Sequence, residues 1–161
     1  MTLLPPWNPV YPIHLIVVGK TKQKSIITLE SHYKQLVKAY IRLEIFEIQE
    51  GRGQTERRLL DEAVHIKAAL SGHKKQVILD RGGAQRSSEE FAAWLGNIMD
   101  NGESLAFAIG SSHGFHPSLK AEIKESVSLS QMTFPHDLCR AMLLEQLFRA
   151  CCILRGKPYH K

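Results

Sequence analysis

QVILDRGGAQRSSEEFAAWLGNIMDNGESLAFAIG, residues 76–110, is the stretch whose reading decides the fold. Gln76–Asp80 is a short apolar run that reads as a buried strand, and Arg81-Gly82-Gly83 reads as a turn. Ser87 and Glu90 stand at capping-box spacing, so a helix starts there with Phe91, Trp94, Leu95 and Ile98 turned inward. Trp94 reads as core rather than as a ligand platform. Ser104–Ile109 is a second apolar run, closed by Gly110. Strand, helix and strand in so short a span make the crossover unit of a parallel sheet.

The same alternation continues outward. Upstream, Ile13–Val18 reads as a strand, and a polar stretch with Lys20, Lys22 and Lys24 follows it. Apolar residues at helical spacing over Ile26–Ile41 place Leu29, Tyr33, Leu36, Val37 and Tyr40 on one side. Leu43–Ile48 alternates as a strand, Glu50–Gln54 is a flexible loop, and Thr55 caps a helix to about Leu70. Downstream, Pro117 suits the first turn of a short helix to about Glu125. Val127–Met132 reads as a fifth strand and Asp137–Arg155 as a long final helix. The expected fold is α/β, a mainly parallel sheet with helices on both faces. Residues 1–12, with Pro5, Pro6, Pro9 and Pro12, read as a leader on the surface or disordered, and residues 13–161 as one domain.

Composition excludes several classes. The hydrophobic fraction of 43% in 161 residues fills a core and argues against wholesale disorder. No apolar run is long enough to span a membrane, and the start is not a signal peptide. Cys139, Cys151 and Cys152 form no Cys-x-x-Cys pair, so they read as buried, reduced thiols of a cytoplasmic protein. His113 and His116 have no third ligand at metal spacing and read as surface loop, so no metal is expected. A net charge of +5 and a pI near 9.2 suit an anionic partner such as RNA, and equally suit simple solubility.

Ligands of open α/β sheets bind beyond the carboxyl ends of the strands. Here those ends read Leu79-Asp80 before Arg81-Gly82-Gly83, Gly110 before Ser111-Ser112-His113-Gly114, and Ser130 to Pro135. Glycines there permit close approach by a ligand, or merely tight turns. No Gly-x-Gly-x-x-Gly, phosphate-binding loop or nucleophile elbow is present, which weighs against a dinucleotide enzyme, an ATPase or a hydrolase.

The final helix is apolar on more than one side. Leu144, Leu147, Phe148, Cys151 and Leu154 share a face, while Met142, Leu143, Cys152 and Ile153 lie elsewhere around the axis. A helix apolar on two sides is buried on two sides, so a dimer through Leu143, Leu147, Phe148 and Cys151 is expected. Arg140, Glu145 and Arg149 on that helix read as internal ion pairs or as a positive rim for an anionic ligand. After Gly156 the chain ends in Tyr159, His160 and Lys161, groups that stack on bases, move protons and hold phosphates.

Several runs together resemble the RlmH family of SPOUT methyltransferases. They are Ser128–Arg140, Leu144-Glu145-Gln146-Leu147-Phe148-Arg149-Ala150, Pro158-Tyr159-His160-Lys161 and Ser87-Ser88-Glu89-Glu90-Phe91. The resemblance covers nearly all of the chain after the leader. It implies a C-terminal trefoil knot, which no sequence rule supplies. Also implied is S-adenosylmethionine as cofactor, against Leu79, Gly110, Leu129, Ser130, Gln131, Met132, Thr133 and Phe134. The implied activity is methylation of the base ring nitrogen (N3) of a pseudouridine in 23S ribosomal RNA by a homodimer. In that scheme His160 or His136 takes the proton, Arg149 or Arg140 holds phosphate or steadies charge on the base, and Tyr159 stacks on the ring. One departure is Ser111, where the family usually has a second glycine. It is strained if that position needs a positive φ and harmless if it needs only a small residue. The rivals are an enzyme of the same fold acting on another RNA, such as transfer RNA, and a non-catalytic RNA-binding protein.

Overall fold

The computed structural model describes residues 11–159. Most of the expected leader, and both His160 and Lys161, lie outside these residues. The elements run β1 (Ile13–Val18), α1 (Lys24–Lys38), β2 (Leu43–Ile48), α2 (Thr55–Leu70), β3 (Lys75–Gln85), α3 (Ser88–Asp100), β4 (Leu105–Ile109), α4 (Pro117–Glu122), β5 (Glu125–Ser128) and α5 (His136–Leu154). One five-stranded sheet has the order β2-β1-β4-β3-β5, with every named pairing parallel.

Period-two burial divides the core between the two faces. Ile13, Leu15 and Val17 of β1, with Leu105, Phe107 and Ile109 of β4, pack with α1, α3 and α5. Ile16 and Val18, with Ala106 and Ala108, pack with α2 and α4. Helices therefore cover both faces, as expected. At the start of α3 both halves of the capping box form: Ser87 Oγ accepts from the Glu90 N–H, and the Glu90 carboxylate accepts from the Ser87 N–H.

Three expectations need correction. Arg81-Gly82-Gly83 is not a turn: β3 runs through it to Gln85, with a register shift against β5 between Leu79 and Ala84. A Cβ on Gly83 would lie 2.8 Å from the Ser126 carbonyl carbon, so the close approach of β5 demands glycine there. The fifth strand is Glu125–Ser128, and Leu129 onward is loop. Finally, the two apolar sides of α5 are both covered within one chain, by α1 on one side and α3 on the other. Leu143, Leu147 and Cys151 are fully buried there and Phe148 nearly so; none is left for a partner.

Candidate functional site

The middle of β3 and the loops after β4 and β5 meet in one cleft of about 440 Å³ on the carboxyl side of the sheet. Leu79, Gly110, Leu129, Ser130, Met132, Thr133 and Phe134 all line it. Gln131 does not line it and is exposed. The loop after β5 braces itself: Ser128 Oγ donates to the Ser130 carbonyl at 2.9 Å, and the Met132 N–H donates to Ser130 Oγ at 3.0 Å. That bracing leaves the Met132 side chain 72% exposed at the mouth.

Residues beyond the implied cofactor contacts also line the cleft. Phe115 and Ile109 add apolar wall, Ser112 and His113 add polar groups, and Asp80 pairs with Lys120 at 3.0 Å on the rim. The Asp80–Lys120 pair joins positions forty apart in sequence, and only the fold brings them together. His116 serves the scaffold, its Nδ1 accepting from the Ser118 N–H at the start of α4.

Gly110 is glycine for a steric reason. A Cβ there would sit 2.6 Å from the Gly114 carbonyl oxygen, so the Ser111–Gly114 turn folds back over it. Ser111 is unstrained, because no non-glycine residue described has a positive φ. Its hydroxyl instead donates to Glu62 at 2.8 Å, a carboxylate buried in α2 that also accepts from the Gly51 N–H at 3.0 Å.

The five residues with implied catalytic roles separate. His136 lines the cleft, with Nε2 3.0 Å from Asp137 Oδ1. Arg140 does not line it: at 3% exposure its guanidinium donates to the Gly19 carbonyl and Thr21 Oγ1, each at 3.0 Å, and faces Glu30 at 3.7 Å. Arg149 donates to Glu145 at 2.9 Å and stacks over Tyr159, 4.8 Å from its ring centre. Tyr159 packs on Phe148 and its hydroxyl donates to Glu145 at 3.2 Å, near the Tyr33 hydroxyl at 3.5 Å. The hydrogen bond with Tyr33 first, then desolvation and the Glu145 charge, push the Tyr159 phenol above its ordinary range. His160 lies outside the described residues. At 1.5 Å per residue, Arg149 stands about 20 Å along α5 from His136.

A family model described as "Predicted SPOUT methyltransferase" matches residues 12–160. A Gloeobacter violaceus protein, "Ribosomal RNA large subunit methyltransferase H", is 38% identical over 149 residues, covering 92% of this chain and 97% of its own. A protein of the same name from Thiobacillus denitrificans is 37% identical over 155 residues, covering 92% and 98%. This chain belongs to the RlmH family of SPOUT methyltransferases. The RlmH-family fold is also shared, at low identity, with solved structures. A Neisseria gonorrhoeae protein assigned to a methylase family superposes with TM-score 0.56 at 12% identity, covering 92% of this chain and 85% of its own. A Bordetella pertussis protein assigned as a methyltransferase gives 0.58 at 11%, covering 88% and 95%.

The cleft combines apolar walls with hydroxyls. Leu79, Leu129, Phe115 and Phe134 are the apolar groups there, and Ser130 and Thr133 carry the hydroxyls, a mixture that suits a small-molecule pocket. Among the described residues no cluster of His, Cys, Asp and Glu could hold a metal, and no helix is long and apolar enough to cross a membrane. The three thiols are free; burial, with the Cys152 charge second, pushes Cys151 up to about 12.

Proposed function

We propose that this chain is an S-adenosylmethionine-dependent enzyme that methylates the N3 ring nitrogen of a pseudouridine in 23S ribosomal RNA, acting in the cytoplasm as a homodimer. The observation that carries this reading is the cleft, where β3 and the loops after β4 and β5 converge in a chain of the RlmH family. When bound, S-adenosylmethionine supplies a methyl group already activated on a sulfonium. The chain's own work is to orient. Leu79, Leu129 and Phe134 hold the donor's flat face, Ser130 and Thr133 meet its polar groups, and the Gly110–Gly114 turn closes one wall.

The target nitrogen carries a proton that must leave. His136 faces the cleft, and Asp137 beside its Nε2 steadies the imidazolium that forms. His160 is the alternative acceptor. Tyr159 offers a stacking face and Arg149 a cation for the RNA. Arg149 stands about 20 Å along α5 from His136, Tyr159 packs beside Arg149, and neither lines the cleft of its own chain. A second copy supplying its tail to this cleft brings them together, and this separation supports the homodimer in place of the apolar faces of α5. The reading also carries the trefoil knot, supported by β5 at the sheet edge and by the return of α5 between α1 and α3.

The reading is tested by incubating purified protein and methyl-labelled S-adenosylmethionine with large ribosomal subunits that lack the modification and, in parallel, with unmodified transfer RNA. Label in a 23S pseudouridine is expected. Label in transfer RNA would favour the first rival, and no transfer to any RNA the second.

A further inference from the structure

The positive charge of this chain is gathered in one place. The formal net charge is +5. Residues 19–24 and 49–58 hold Lys20, Lys22, Lys24, Arg52, Arg57 and Arg58, against Glu50 and Glu56 alone. The remainder of the chain is close to neutral. Arg58 is half-buried and faces Glu50 at 4.0 Å; the other five cations are exposed.

These two segments are neighbours in space. They follow adjacent strands, and the Gly19 N–H donates to the Ile48 carbonyl at 2.7 Å. Both leave the carboxyl edge of the sheet, the edge on which the cleft opens. Since β1 lies between β2 and β4, rim and cleft are two or three strands apart, about 10–15 Å.

Buried ions hold both segments from beneath. Arg140 donates to the Gly19 carbonyl and to Thr21 Oγ1, fixing the backbone that carries the lysines. Glu62, 1% exposed, accepts from the Gly51 N–H beside Arg52 and also from Ser111 in the cleft wall. Ions are costly to keep inside a protein. Here they fix the rim's backbone and set its register with the cleft.

We propose that this rim docks the phosphate backbone of the RNA strand beside the nucleotide being methylated. The proposal rests on the ribosomal RNA reading above and adds the surface that grips the substrate. Cations on long stems over a fixed backbone suit phosphates, which position a strand without reading its sequence.

The test compares two triple variants of the full chain with the wild type. One carries Lys20→Ala, Lys22→Ala and Lys24→Ala. The control, Lys38→Ala, Lys74→Ala and Lys124→Ala, removes the same charge from exposed positions elsewhere. The readouts are binding to large ribosomal subunits across a salt series, methyl-transfer kinetics, and S-adenosylmethionine affinity as a check on folding. The rim variant is expected to flatten the slope of log affinity on log salt by about 2, at ~0.7 per phosphate contact. Its KM for subunits should rise roughly tenfold or more, with kcat at saturation and donor affinity unchanged. The control should follow the wild type. A wild-type slope in the rim variant, or an equal loss in both variants, overturns the surface alone. Absence of methyl transfer by the wild type overturns the functional reading and the surface with it.

Discussion

Ser111 Oγ donates a 2.8 Å hydrogen bond to Glu62, a carboxylate with 1% of its surface exposed. The bond joins the cleft wall to α2 across the sheet edge. It gives Ser111 a role that glycine at the same place could not fill, and it removes strain as a reason to expect a lapsed pocket. Glu62→Ala should leave a buried hydroxyl and the Gly51 N–H unpaired and cost about 1–3 kcal/mol. Ser111→Gly loses one bond and should cost about 0.5–1.5 kcal/mol. Urea denaturation ranks the two, and equal costs would show that the carboxylate does not anchor both loops.

Gly110→Ala should weaken the donor site through the fold. The new methyl meets the Gly114 carbonyl, so the Ser111–Gly114 turn must move. Overpacking of this kind costs about 1–3 kcal/mol, or roughly tenfold and more in affinity if it falls on the donor-binding state. Calorimetry with S-adenosylmethionine measures it; undiminished affinity would place the donor away from this turn.

Arg140→Ala should act on stability more than on chemistry. Its guanidinium is buried against the Gly19 carbonyl, Thr21 and Glu30. Removing one partner of a buried pair costs about 3–5 kcal/mol. Arg140→Lys should recover little, because an ammonium cannot reproduce the fork. A variant of wild-type melting temperature with abolished turnover would return Arg140 to the reaction.

Tyr159 is part of the packed structure as well as a candidate stacking face. It touches Phe148, Arg149 and Glu145 with 38% of its surface exposed. Removing residues 159–161 should lower the melting temperature by about 2–4 °C, as a loss near 1 kcal/mol does in a chain of this size. Tyr159→Phe should do less, since only the hydroxyl contacts go. Differential scanning calorimetry decides, and an unchanged melting temperature would mean that the packing contributes nothing.

Strands β1 and β2 were legible to the residue, because apolar runs bounded by polar or glycine residues state their own limits. The α3 start was legible for a local reason too: Ser87 and Glu90 satisfy each other's backbone donors. What failed depended on partners. Arg81-Gly82-Gly83 reads as a turn from composition, but β5 packs against it and makes it strand. The two apolar faces of α5 state that something covers them without stating what, and α1 and α3 do so. Arg140 read equally as an internal ion pair or a phosphate ligand, because type and helix position are visible in sequence, whereas the burial against Gly19 and Glu30 that decides for the first is not. Leu79, Gly110 and most of the Leu129–Phe134 loop do meet at one cleft, because the strand-end rule follows from sheet geometry alone.

The central claim, methylation of one pseudouridine in large-subunit ribosomal RNA, is tested most directly by nucleoside mass spectrometry. The 23S RNA is taken from cells lacking the gene for this chain, with and without the gene restored. The account predicts one methylpseudouridine missing in the first sample and regained in the second, with transfer RNA unchanged. An identical set of 23S modifications in both samples would contradict it.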